Sequence, residues 1–135
     1  MRYLVDANVL SEPTKSQPSA KVVDWLARNE RDLAVDSIIL GELCIGVLAL
    51  PGGRKRAKLK AWFESVARTI HSLPWDLAVS RQWAELVVRL KRRGEVMPLL
   101  DGMIAATAIT HRLTVVTRNV RDFAKTGVDV VDPFA

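Results

Sequence analysis

The sequence predicts a three-layer α/β domain with a mainly parallel central sheet of about five strands flanked by helices. Two observations carry this expectation. Short β-like apolar runs alternate with longer helical ones along the whole chain, the order that builds parallel sheets. The chain also has 135 residues, 49% of them hydrophobic, enough for one buried core, so residues 1–135 read as a single domain.

The elements follow in order. Tyr3-Leu4-Val5 is a short apolar run closed by Asp6 and reads as a buried first strand. Ala7 to Leu10 begins a short helix that Pro13 stops. From Ser19 to Asn29, Val22, Trp25 and Leu26 share one helical face. Leu33-Ala34-Val35 is the second strand, and Asp36-Ser37 after it has the form of a helix cap. Ile38 to Leu50 is a helix almost without a polar face, interrupted by Glu42 and ended by Pro51-Gly52-Gly53. Next comes a basic helix with Leu59, Trp62, Phe63, Val66 and Ile70 inward, then a weak strand at Ile70 to Leu73. Asp76 to Arg93 is amphipathic, with Val79, Trp83, Leu86, Val87 and Leu90 on one side and Gly94 at its end. Pro98 opens an alanine-rich helix reaching Arg112. Thr114 to Thr117 is the fourth strand and Val128 to Val131 the last.

Composition removes several function classes. Charged residues make up 26%, and twenty Lys and Arg against fifteen Asp and Glu leave a net charge of +5, compatible with a polyanionic partner. The single cysteine, Cys44, forms neither an internal disulfide nor a thiolate metal cluster, and its apolar surroundings predict a buried, inert thiol. No stretch has the length of a membrane span, and the acid at position 6 arrives too early for a signal peptide, so the expected compartment is the cytoplasm. No phosphate-cradling glycine loop or Walker lysine is present, which sets aside dinucleotide and ATP binding. His71 and His111 have no catalytic setting, and the tryptophans at helical spacing read as core stripes.

Polar residues recur where open α/β sheets bind ligands, at the carboxyl ends of strands. Asp6, with Asn8, follows the first strand, and Thr117 ends the fourth, with Asn119 and Asp122 just beyond it. Asp101 lies in the first turn of the helix opened by Pro98, and Glu42 is sunk in its apolar helix. Capping accounts locally for Asp6, and the helix dipole for Asp101. Glu42 has no such account: a buried polar group without a partner costs about 2–7 kcal/mol. Two carboxylates about 4 Å apart repel by roughly 4 kcal/mol at an effective dielectric near 20, so converging acids either rise in pKa or share a cation. Hard oxygen ligands without His or Cys select Mg²⁺ or Mn²⁺, and such a site supports in-line phosphodiester hydrolysis. The alanines beside Asp101 and Gly46 beside Glu42 leave either close packing or room for a ligand.

The run from Met1 to Glu12, containing Leu4-Val5-Asp6-Ala7-Asn8, resembles the opening of PIN-domain nucleases of the VapC toxin type and their FitB-like subgroup. Ile39-Leu40-Gly41-Glu42-Leu43, Leu99-Leu100-Asp101-Gly102 and Thr117-Arg118-Asn119-Val120-Arg121-Asp122-Phe123 extend the resemblance in order over essentially the whole chain. It implies a Mg²⁺- or Mn²⁺-dependent endoribonuclease acting as the toxin of a toxin–antitoxin pair. Asp6, Glu42 and Asp101 match the metal-site acids. Asn119 stands where many relatives carry an acid, and the resemblance leaves either Asn119 or Asp122, the latter a fourth candidate catalytic carboxylate, to fill that position. Asn8, Thr117 and Asn119 orient the ligands, and Arg54, Lys55, Arg56 and Lys58 are candidates for RNA phosphates. A cognate antitoxin, RNA and a homodimer partner near the Ile38–Val66 region are the implied associates. A PIN-like module that holds nucleic acid or a regulator without cutting is the alternative. A phosphotransfer receiver domain fits less well, because Asp6 lacks an acidic neighbour after the first strand.

Overall fold

A computed structural model describes residues 1–135. Five strands form one parallel sheet: β1 (Tyr3–Val5), β2 (Leu33–Asp36), β3 (His71–Leu73), β4 (Thr114–Val116) and β5 (Val130–Val131), in the spatial order β3-β2-β1-β4-β5. The helices are α1 (Ala7–Leu10), α2 (Ala20–Arg28), α3 (Ser37–Leu48), α4 (Arg54–Thr69), α5 (Leu77–Arg92), α6 (Leu99–His111) and α7 (Val120–Ala124). The chain steps outward from β1 to β3, then returns to β4 on the other side of β1. Right-handed crossovers therefore place the earlier and later helices on opposite faces of the sheet, giving the three layers.

Local chemistry sets the element ends. Ser19, Asp36 and Asp76 cap α2, α3 and α5, each side chain accepting from a backbone N–H three residues on, that of Val22, Ile39 and Val79. Arg112 closes α6 in the left-handed region at φ 55°, a conformation that disfavours side chains with a Cβ. The core joins Leu4 and Val5 of β1, Ile39 of α3, Leu86 and Leu90 of α5, Ile104 of α6 and Phe123 of α7. Burying each large apolar side chain contributes about 1.5–3 kcal/mol.

Three expectations need correction. Val87 is 44% exposed, because its neighbour Leu86 takes the inward position on α5. Cys44 is half-buried, since α3 covers only the Ile39-Leu43-Val47 stripe completely. On α4 no residue is fully buried: Trp62, Phe63 and Val66 face inward and pack against the core from its edge, and Trp62 also lines a groove. The alanines of α6 settle in favour of packing, with Ala105, Ala106 and Ala108 at most 1% exposed. No helix is long and apolar enough to cross a membrane.

Candidate active site

Strand register builds the site. Val5 pairs with Val116, so the next residues, Asp6 and Thr117, leave the sheet side by side. Leu4 pairs with Ala34, which sets Asp36 level with Asp6 on its other flank. The strand order changes direction between β1 and β4, and this is the crevice in which open α/β sheets take ligands.

Asp6 is 3% exposed. Its Oδ1 accepts from the Ala7 N–H at 2.8 Å, capping α1, and its Oδ2 accepts from the Thr117 hydroxyl at 2.7 Å and Asn8 Nδ2 at 3.2 Å. Thr117 Oγ1 accepts from the Asn119 N–H at 3.0 Å, and Asn8 Oδ1 from the Arg118 N–H at 3.2 Å. Asn8 and Thr117 thus orient the Asp6 carboxyl. Burial pushes that carboxyl above its ordinary range, while the bonds from Thr117, Ala7 and Asn8 act in the opposite direction.

The other acids face the same crevice. Glu42 on α3 is pushed up to about 7, first by burial and then by the charges of Asp6, Asp101 and Asp36. Its buried Oε1 has no hydrogen-bond partner. Asp101, in the first turn of α6, is raised to about 6 by burial and by Asp6 and Asp122, with the Asn119 side chain favouring the ionised form. Asp36, which the sequence marks only as a helix cap, is raised by burial against hydrogen bonds from Ile39, Thr107 and Ile38, and Asp6 raises it further. Every charged side chain that acts on these four acids is another carboxylate. Asp122 acts on Asp101 through its charge while lying 3.7 Å from Lys125 Nζ, and Asn119 stands beside Asp101.

The residues fit a hard dication. The donors are carboxylate oxygens throughout, one buried oxygen has no donor, and mutual repulsion is uncompensated. The acids are spaced around the crevice rather than drawn into a finished cage, as no three Asp, Glu, His or Cys side chains stand at ligating distance of one point. Bound water completes such a shell in the usual Mg²⁺ arrangement.

Beside the crevice runs a groove. Asn8, Glu42 and Gly46 line a cavity of about 340 Å³ that also touches Thr14, Lys15, Leu59 and Trp62. Those last four also line a second cavity of about 810 Å³, where Lys55 and Lys58 join them. Arg54 and Arg56 line neither. Two residues of this region have a structural part that sequence reasoning missed. Glu12 is 4% exposed and accepts from the Ser19 N–H at 2.9 Å, and Lys15 Nζ lies 2.8 Å from its Oε1. Their spacing of three residues was the available signal.

A family model described as PIN domain matches residues 3–129. The VapC ribonuclease Y4jK of Sinorhizobium fredii (strain NBRC 101917 / NGR234) is 35% identical over 135 residues, covering 97% of this chain and 96% of that protein. Toxin FitB of Neisseria gonorrhoeae (strain ATCC 700825 / FA 1090) is 36% identical, with 97% of each covered. Among solved structures, FitAB bound to an IR36 DNA fragment superposes with a TM-score of 0.93 at 34% identity, over 98% of this chain and 96% of that one. FitAcB from Neisseria gonorrhoeae gives 0.88 at 35% identity, with 98% of each chain covered.

Proposed function

The chain belongs to the PIN domain family, and from that membership we propose that it is the ribonuclease toxin of a toxin–antitoxin pair. The single observation that carries the reading is the all-carboxylate crevice at the switch point of the sheet, with Glu42 raised to about 7. In this reading Asp6 and Asp101 hold Mg²⁺ or Mn²⁺, and Glu42 serves it through water. The ion, when bound, supplies Lewis-acid polarisation of the phosphate and offsets the carboxylates' repulsion. Thr117 and Asn8 keep Asp6 in one orientation. In this reading Glu42, whose carboxyl shares the crevice with Asp6 and Asp101, is the proton acceptor for the attacking water. Water oxygen then forms the new bond to phosphorus as the ester bond to the leaving oxygen breaks, and that oxygen takes a proton from solvent.

The antitoxin is proposed on the same footing, because the structural relatives FitAB and FitAcB are complexes. The competing reading, a PIN module that binds RNA without cutting it, is favoured by Asn119 in place of an acid and by the Asp122–Lys125 pair.

The test incubates the purified chain with total RNA and with tRNA in Mg²⁺ or Mn²⁺, beside EDTA and Asp101→Asn. The expected result is cleavage that EDTA abolishes and Asp101→Asn lowers by at least about 100-fold, the scale of a lost metal ligand in a several-kcal/mol electrostatic effect. Cleavage that survives either control contradicts the metal reading, and binding without cleavage supports the module.

A further inference from the structure

On α4, Lys55, Lys58, Leu59 and Trp62 stand at positions i, i+3, i+4 and i+7, so two ammonium groups and an indole share one helical face. That face looks across the groove of about 810 Å³ toward the 13–17 loop. Lys55 and Lys58 enter no ion pair, whereas Lys15 is tied to Glu12 at 2.8 Å and marks the passage toward Glu42. An indole for stacking, flanked by uncompensated cations and continuous with the acid crevice, is chemistry that recognises an unpaired nucleotide.

We propose that this groove seats a nucleotide of single-stranded RNA flanking the scissile phosphate. Its base stacks on Trp62, and its phosphates lie on Lys55 and Lys58. The inference rests on the ribonuclease reading and adds the residues that seat the nucleotide. A base inside an A-form duplex has its faces covered by its neighbours, so the Trp62 indole is reached only by an unpaired base. Of the four basic candidates at the start of α4, the geometry selects Lys55 and Lys58 and releases Arg54 and Arg56.

The experiment measures fluorescence anisotropy of a labelled single-stranded RNA of about 12 nucleotides, within the usual span of such sites. It uses the full chain in EDTA, so that binding is read without cleavage. Trp62→Ala and Lys55→Ala/Lys58→Ala are each expected to weaken binding about 10-fold, the range of one missing base stack or of phosphates left without their cations. Trp62→Phe keeps most of the affinity, and it also controls for a fold disturbed by the alanine, checked by circular dichroism. The lysine pair also lowers the salt slope by roughly 0.7 for each phosphate it no longer neutralises, and Arg54→Ala/Arg56→Ala changes affinity less than about 2-fold. Duplex RNA of the same sequence binds more weakly than the single strand.

Undiminished single-strand affinity in both the Trp62→Ala and lysine variants overturns the subsite, as does equal affinity for the duplex. Loss of antitoxin association in Trp62→Ala, with RNA affinity intact, also overturns it and marks the groove as a peptide site. Wild-type protein that cuts RNA while these variants bind normally leaves the ribonuclease reading standing without the subsite. Wild-type protein that neither binds nor cuts RNA removes both.

Discussion

Asp6 uses both of its oxygens, one to cap α1 and one to meet Thr117 and Asn8. Capping and site chemistry are therefore not alternatives at this residue. Thr117→Val removes the 2.7 Å bond without changing size. It is expected to lower stability by about 1 kcal/mol in urea titrations and Mn²⁺ affinity by about 10–100-fold, the effect of a lost orienting partner. Equal Mn²⁺ affinity in the two proteins contradicts the orienting role. The raised carboxyls give a pH dependence of fixed sign. Glu42 at about 7 and Asp101 at about 6 lie above their unfolded values, so the folded state binds more protons between about pH 4 and 7. Stability of the metal-free protein is present in full at the acid end of that window and falls as pH rises through it. Melting in EDTA is expected to show this decline, and Asp101→Asn to flatten it; a rise across the window refutes the clustering. Asp6, Glu42 and Asp101 were legible in the sequence, because each ends a strand, interrupts an apolar run or opens a helix. Asp36 was not, since a cap explains it locally and only the Leu4–Ala34 register sets it beside Asp6.

α3 presents two glycines that differ in surroundings and not in space. A Cβ at Gly41 or Gly46 meets nothing within 4 Å, yet only Gly46 lines the cavity beside Glu42. Each glycine-to-alanine change is expected to stabilise the helix by about 0.5–1 kcal/mol. Gly46→Ala alone also lowers kcat/KM, by narrowing the cavity, and equal kinetics in the two variants contradict that cleft. At the end of α6, Arg112→Gly relieves the left-handed backbone and is expected to add about 0.5–1 kcal/mol to stability, read as a higher urea midpoint. Element order, caps and strand limits were legible from punctuation by Pro, Gly, Ser and Asp. The depth of α4 was not: its apolar stripe has helical spacing, and spacing alone does not tell a core from a groove. Trp62 does both, packing against the core and lining the groove.

At the scale of the molecule, the net charge of +5 conceals an uneven distribution. Asp6, Asp36 and Asp101 are buried around one crevice, and Lys55 and Lys58 of α4 flank a groove that runs into it. That arrangement suits a polyanion drawn toward an acidic, cation-holding centre. The homodimer inferred from the sequence finds support in Ile45 at 64% and Leu48 at 59% exposure on α3. Sedimentation of Ile45→Lys/Leu48→Lys is expected to give monomers where the parent chain gives dimers, and an unchanged profile moves the interface elsewhere. Strand alternation made the three layers legible, but the meeting of residues 6, 36, 42 and 101 depends on a sheet order that hydrophobic pattern does not encode.

The most direct test of the carboxylate centre is calorimetric titration of the chain with Mn²⁺ at about pH 6.5, repeated in two buffers of different ionisation heat. With Glu42 near 7 and Asp101 near 6, binding should release on the order of one proton, and Asp6→Asn and Asp101→Asn should each lose affinity at least about 10-fold. Mn²⁺ binding that is indifferent to both substitutions, or absent from the parent chain, would contradict the account.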